Sequence, residues 1–150
     1  MVIHGSEAVI LGNRLPTAVD TNSGTNSNLS YANKGKDRHS FYNYNVNIPA
    51  TAVVQGIEVR LDARADATGG SPKVYVQLSW DGGATWTTAK STATLGTTEA
   101  SYTLGSPSDT WGRTWAAANF GNTSFRLRVI DVAGNTGRDF YLDYVAVNVT

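Results

Sequence analysis

The chain contains no cysteine. That absence excludes a disulfide framework, thiolate catalysis and thiolate-built zinc sites. Charge is also scarce. Only 16% of the 150 residues are Asp, Glu, Lys or Arg, and twelve basic residues balance twelve acidic ones. A chain neutral overall is not expected to bind nucleic acid without regard to sequence, which takes a basic stripe to neutralise phosphates. It is not expected to dock on anionic lipid either. No apolar run approaches the ~20 residues that cross a bilayer as a helix, so no membrane insertion is expected. The two histidines, His4 and His39, stand in no H-E-x-x-H pattern, and no G-x-S-x-G elbow or phosphate loop occurs. No basic region followed by an apolar run opens the chain, so no signal peptide is expected and the chain reads as a mature or excised domain, the alternative being a full-length cytosolic protein.

What fills the space left by charge is Thr, Ser, Asn and Gly, a weakly charged polar surface common in secreted β-proteins. The pattern underneath is period-2 alternation. In Lys73–Ser79 and Trp80, residues Val74, Val76, Leu78 and Trp80 share one face, and Lys73, Tyr75, Gln77 and Ser79 the other. Asp81-Gly82-Gly83 then allows a reversal, and Thr85, Trp86 and Thr87 begin a return arm. The hairpin carries a tryptophan on each arm.

The same alternation marks the other strands. Ile57, Val59, Leu61, Ala63 and Ala65 oppose Glu58, Arg60, Asp62 and Arg64. Tyr42, Tyr44, Val46 and Ile48 oppose Phe41, Asn43, Asn45 and Asn47 in a strand expected over 39–48. Ala100, Tyr102 and Leu104 are expected to point inward, and Phe125, Leu127 and Val129 oppose Arg126 and Arg128. In the last strand the parity changes near Asp143, which predicts a β-bulge or burial of both faces. Asp131 to Gly137, with A-G-N-T-G, is expected to close a second hairpin. Residues 12–36 are polar and read as one long surface loop. Trp111 and Trp115, four apart, permit at most one short helical turn. The expected fold is therefore all-β: a single domain over 1–150, an antiparallel two-sheet β-sandwich or jelly roll of about eight strands.

The runs H-S-F-Y-N-Y-N-V-N-I-P at 39–49, G-I-E-V-R-L-D-A at 56–63, V-Q-L-S-W-D-G-G-A-T-W at 76–86, D-T-W-G-R-T-W at 109–115 and F-Y-L-D-Y-V-A-V-N-V at 140–149 carry a resemblance. They resemble a β-sandwich module of large secreted, multi-module bacterial proteins, and similar segments occur in phage structural proteins. The order of motifs is also similar to jelly-roll carbohydrate-binding modules. That resemblance implies a structural calcium between an N-terminal strand and the last strand, with Glu7 and Asp143 at the matching positions.

Sugars stack on aromatic rings, with amides and hydroxyls meeting their hydroxyl groups. Trp86, Trp111 and Trp115 lie beside polar turns where such a platform can form; the alternative is that they plug the sandwich ends. Tyr75 and Phe41 stand opposite the core parity and join the candidate ligand-binding set. Trp80 belongs to the core. The aspartates sit mostly at turns, where Asp stabilises the backbone, so an enzyme is not expected. Oxygen ligands for calcium are available around Asp131 to Asp139. Glu58, Arg60, Asp62, Arg64, Arg126 and Arg128 read as a solvated cross-strand lattice or a subunit contact.

The expectation is a non-catalytic extracellular module holding its parent protein to a polysaccharide or cell surface. The competing expectation is a self-assembling structural subunit, of a surface filament or a phage decoration or fibre domain.

Overall fold

The computed structural model describes the chain except residues 1–2, 5–6, 11–13 and 21–23, and of residues 3–20 it gives only strand backbone. The described strands are β1 Ile3–His4, β2 Glu7–Ile10, β3 Arg14–Asp20, β4 Arg38–Phe41, β5 Ile57–Ala65, β6 Lys73–Ser79, β7 Lys90–Ser91, β8 Ala100–Ser106, β9 Arg126–Val132 and β10 Phe140–Val149. One 3-10 turn spans Ala117–Phe120. All pairings are antiparallel, in a six-stranded sheet A (β1-β2-β10-β5-β8, with β3 also on β10) and a four-stranded sheet B (β4-β9-β6-β7).

β5 shows why these segments become strands. Its inward residues Ile57, Val59, Leu61, Ala63 and Ala65 are all at most 1% exposed, while Arg60 between them is exposed. A backbone of period 2 is the one that buries such a set on a single side. Each large aliphatic side chain so buried stabilises the fold by about 1.5–3 kcal/mol. The neighbouring Arg60–Asp62 pair, 54% and 18% exposed, is screened by water and contributes little beside that burial.

β10 pairs with β5 along its whole length, and the register shifts between Leu142 and Tyr144. Asp143 is thus the bulge residue. The extra residue lets Phe140 and Leu142 reach the same core as Val145, Val147 and Val149 despite their opposite parity. β3 shares the irregularity, and β2 continues the same edge of β10.

The sheets face each other across one hydrophobic cluster. β6 gives it Val74, Val76 and Leu78, and β9 gives Leu127 and Val129. At one end Trp115, Phe120 and Phe125 pack ring on ring, with centroids 5.2–6.1 Å apart.

Four expectations are corrected. Residues 12–36 are not all loop, since Arg14–Asp20 form β3. The expected strand over 39–48 ends at Phe41, because Asn43 and Asn45 take φ of 61° and 54° and break the ladder. Tyr44, Val46 and Ile48 still pack on the core, but Tyr42 turns out to solvent. The segment from Asp131 to Gly137 crosses between sheets rather than closing a hairpin, since β9 is in sheet B and β10 in sheet A.

The loop of residues 24–37 is held by cations. The Lys36 ammonium is buried and donates to the carbonyls of Asn26 and Ala133. Arg38 donates to the carbonyls of Lys36, Tyr31 and Asn33 at 2.6–2.8 Å. Desolvation holds the Lys36 pKa below its ordinary value, against the opposing pull of Asp37.

Trp111 is 4% exposed, at φ 54°, and its indole donates to the Ile57 carbonyl at 2.8 Å. Trp111→Ala is expected to lower unfolding free energy by about 3–5 kcal/mol in chemical denaturation. A loss below about 1 kcal/mol would show that the ring does not plug the sandwich.

Candidate binding face on sheet B

The β6–β9 register decides what the outer face of sheet B displays. Gln77 stands opposite Arg128, Ser79 opposite Arg126, and Tyr75 opposite Ile130. β4 adds Ser40 beside Arg128 and Arg38 beside Ile130. The inward residues of both strands fill the core, so these pairs point away from it.

The lower half of this face is covered. Ile130 is buried, and Tyr31 of the 24–37 loop stacks on Tyr75 with centroids 5.3 Å apart and planes at 27°. The upper half carries half-buried guanidinium groups on rings, over buried Gln77 and Ser79. Arg128 lies 4.0 Å above the Trp86 ring, and its Nε and Nη2 donate to Gln77 Oε1 at 3.0 and 2.6 Å. The Gln77 amide in turn donates to the Thr87 carbonyl at 2.7 Å, so the acceptor that orients Arg128 is itself fixed. Arg126 lies 4.9 Å from the centroid of Tyr42, which is 53% exposed. The Arg126 Nε is shielded from water and has no hydrogen-bond partner.

Electrostatically this patch is unbalanced. Arg60–Asp62, Lys90–Asp109 and Arg138–Asp66 form ion pairs, and none of these three lies on this face. The Arg128 pKa is lowered by desolvation and then by the like charge of Arg38. The outer face of sheet A differs. There Arg60 and Ser101 both bond Asp62, and Asn148 bonds Glu58. Two shallow grooves of about 280 and 330 Å³ lie along that sheet, both bordered by Arg60 and Tyr144. Arg64 also lies 3.7 Å from the Tyr141 ring centroid on this sheet, and the Asn148 Oδ1 is buried without a hydrogen-bond partner.

The residues singled out from sequence divide accordingly. Tyr75 and Trp86 share the outer face of sheet B, each half-buried with one ring face covered, by Tyr31 and Arg128. Trp111 and Trp115 are core plugs, 4% and 3% exposed, and their indoles donate to backbone carbonyls of Ile57 and Thr110. Phe41 packs against the core rather than facing solvent. Trp80 is partly buried on the core, with Arg113 between its ring at 3.8 Å and that of Trp115 at 4.5 Å. The rings and cations missed by the sequence reading are Tyr42 and the Arg126–Arg128 pair. The only local signal for them was the outward parity of the two arginines.

Glu7 and Asp143 do not meet. The β2–β10 register sets Ala8 opposite Val149, which places Glu7 at the far end of β10, about 20 Å of strand from the bulge. Among the described residues no three His, Asp or Glu side chains gather in a metal-binding group.

The turn beside Trp86 is set by Asp81. Its Oδ1 accepts from the Ser79 hydroxyl at 2.9 Å and the Thr85 amide at 2.8 Å, and Trp86 donates to the Gly83 carbonyl at 2.9 Å. The hydrogen bonds from Thr85, ahead of that from Ser79, bring the Asp81 pKa down to about 2. A depressed carboxylate pKa adds stability above the unfolded value and loses it as pH falls through the folded one. The Thr85 amide resonance is therefore expected to titrate with a midpoint near pH 2, and Asp81→Asn to remove that titration. A midpoint near 4 would show that the carboxylate does not hold the turn.

No known protein-family model matches this sequence, and no curated protein is similar to it. Among solved structures there is a likeness to the N-terminal CBM22-1–GH10 modules of Clostridium thermocellum endo-1,4-β-D-xylanase 10B, complexed with xylohexaose. Identity is 10% over 93% of this chain and 26% of that one, with a TM-score of 0.38. At that score the sandwich rests on its own strand pairing.

Proposed function

We propose that this domain is a non-catalytic, extracellular binding module that attaches its parent protein to a glycan through the outer face of sheet B. What supports the reading is the set Trp86, Arg128, Gln77, Arg126 and Tyr42. Rings there hold half-buried guanidinium groups in place on a rigid sheet, and neither forms an ion pair with a described carboxylate. A site on strands is positioned more tightly than one on loops, and the Gln77–Thr87 bond fixes Arg128 before any ligand arrives. Exposed Tyr42 offers a stacking surface, and Trp86 offers its edge and its stacked cation.

Affinity electrophoresis against neutral and acidic plant and microbial polysaccharides tests this. Retention is expected on at least one polymer. Trp86→Ala and Tyr42→Ala are each expected to weaken it roughly 3- to 10-fold, from about 0.5–1.5 kcal/mol of ring contact. Absence of retention across the panel would refute the reading.

A further inference from the structure

We infer that the glycan is acidic, with Arg126 and Arg128 gripping an anionic substituent, a carboxylate or a sulfate ester, from the outer face of sheet B. The inference rests on the binding-module reading and goes further by naming the chemistry of the ligand.

Three observations converge. First, the two guanidinium groups stand two residues apart on one face of β9, about 6.6 Å along the strand, so both can reach one substituent or adjacent ones. Second, neither forms an ion pair with a described carboxylate, and the nearby Asp81 is committed to the Ser79 hydroxyl and the Thr85 amide. The Arg126 Nε is already shielded from water without a hydrogen-bond partner. Arg128 is bonded only to a neutral amide oxygen, on its Nε and Nη2, which leaves Nη1 unused. A partly dehydrated cation left without an anion is a costly arrangement, and a ligand carboxylate or sulfate would relieve it. Third, the groups are preorganised. Tyr42 lies under one and Trp86 under the other, so each planar fork is held by its face and keeps its N–H edge for an oxyanion. The nearby guanidinium of Arg38 is already committed to three backbone carbonyls, so it adds positive potential rather than donors. A neutral sugar would leave this charge unanswered, whereas a uronic acid or a sulfated sugar would meet it.

The test is titration calorimetry of the whole chain with three polymers: polygalacturonate, its fully methyl-esterified form, and a sulfated galactan. Binding is expected to the carboxylated or the sulfated polymer and not to the ester, and to weaken steeply with added salt. The two acidic arms identify which anion is taken. Arg126→Gln and Arg128→Gln are each expected to reduce affinity roughly tenfold or more, the size of a lost charge-assisted hydrogen bond. Arg126→Lys, which keeps the charge and loses the fork, is expected to fall between. Arg64→Gln on sheet A removes the same charge from the other side and is expected to change nothing. Circular dichroism of each variant verifies folding. Equal binding of ester and acid, with the arginine variants unaffected, would overturn this inference while leaving the binding-module reading in place. So would a loss in Arg64→Gln equal to that in Arg126→Gln, since bulk charge would then suffice. Binding to none of the three polymers, with retention on a neutral glycan elsewhere, would overturn it too. Binding to no glycan at all would remove both.

Discussion

The seven-residue ladder between Lys73–Ser79 and Arg126–Val132 determines both sides of sheet B. In one register Val76 meets Val129 and Leu78 meets Leu127 in the core, while Gln77 meets Arg128 and Ser79 meets Arg126 outside. A slip by one residue would exchange the two sets, placing arginines in the apolar interior and leucines in water. The cost of burying two unpaired guanidinium groups makes that alternative inaccessible. The constraint that specifies the fold therefore also specifies where the cations stand. Their positions cannot be altered independently of the core.

The two outer faces use their polar residues differently. On sheet A, Arg60 is paired with the Asp62 carboxylate, Ser101 bonds both, and Asn148 donates to Glu58, so the Arg60 charge there is answered within the sheet. On sheet B the 24–37 loop covers Tyr75 and Ile130 and is fastened by Lys36 and Arg38 through backbone carbonyls. What remains uncovered is the strip from Trp86 to Tyr42. A protein with no net charge thus carries a local excess of positive potential on one sheet. The overall balance, which speaks against binding nucleic acid along the chain as a whole, is silent about such a patch.

Much of the architecture was legible in the sequence because alternation is local. β5, β6 and β9 could be read from their own residues, and so could the change of parity at Asp143. Tyr75 and Trp86 were also placed among the candidates before their face was known. The rest depended on information the local pattern does not hold. Trp111 and Trp86 both follow polar turns, yet one indole finds the Ile57 carbonyl and a closed pocket and the other lies on a sheet surface. Asn43 and Asn45 keep an alternating sequence while adopting left-handed backbone, which periodicity cannot reveal. Arg126 and Arg128 looked like part of a solvated lattice. Only the pairing of β9 with β6, some fifty residues away in the chain, shows that no carboxylate stands against them.

The account requires that sheet B, and not the grooved sheet A, be the surface that meets ligand. Two-dimensional NMR of the chain, titrated with a short acidic oligosaccharide, would locate the contact residue by residue. The Nε–H signals of Arg126 and Arg128 and the Trp86 indole are expected to shift, with Gln77 moving alongside. Shifts confined to Tyr144, Glu99 and Asn148, with the Arg126 and Arg128 signals unmoved, would contradict it.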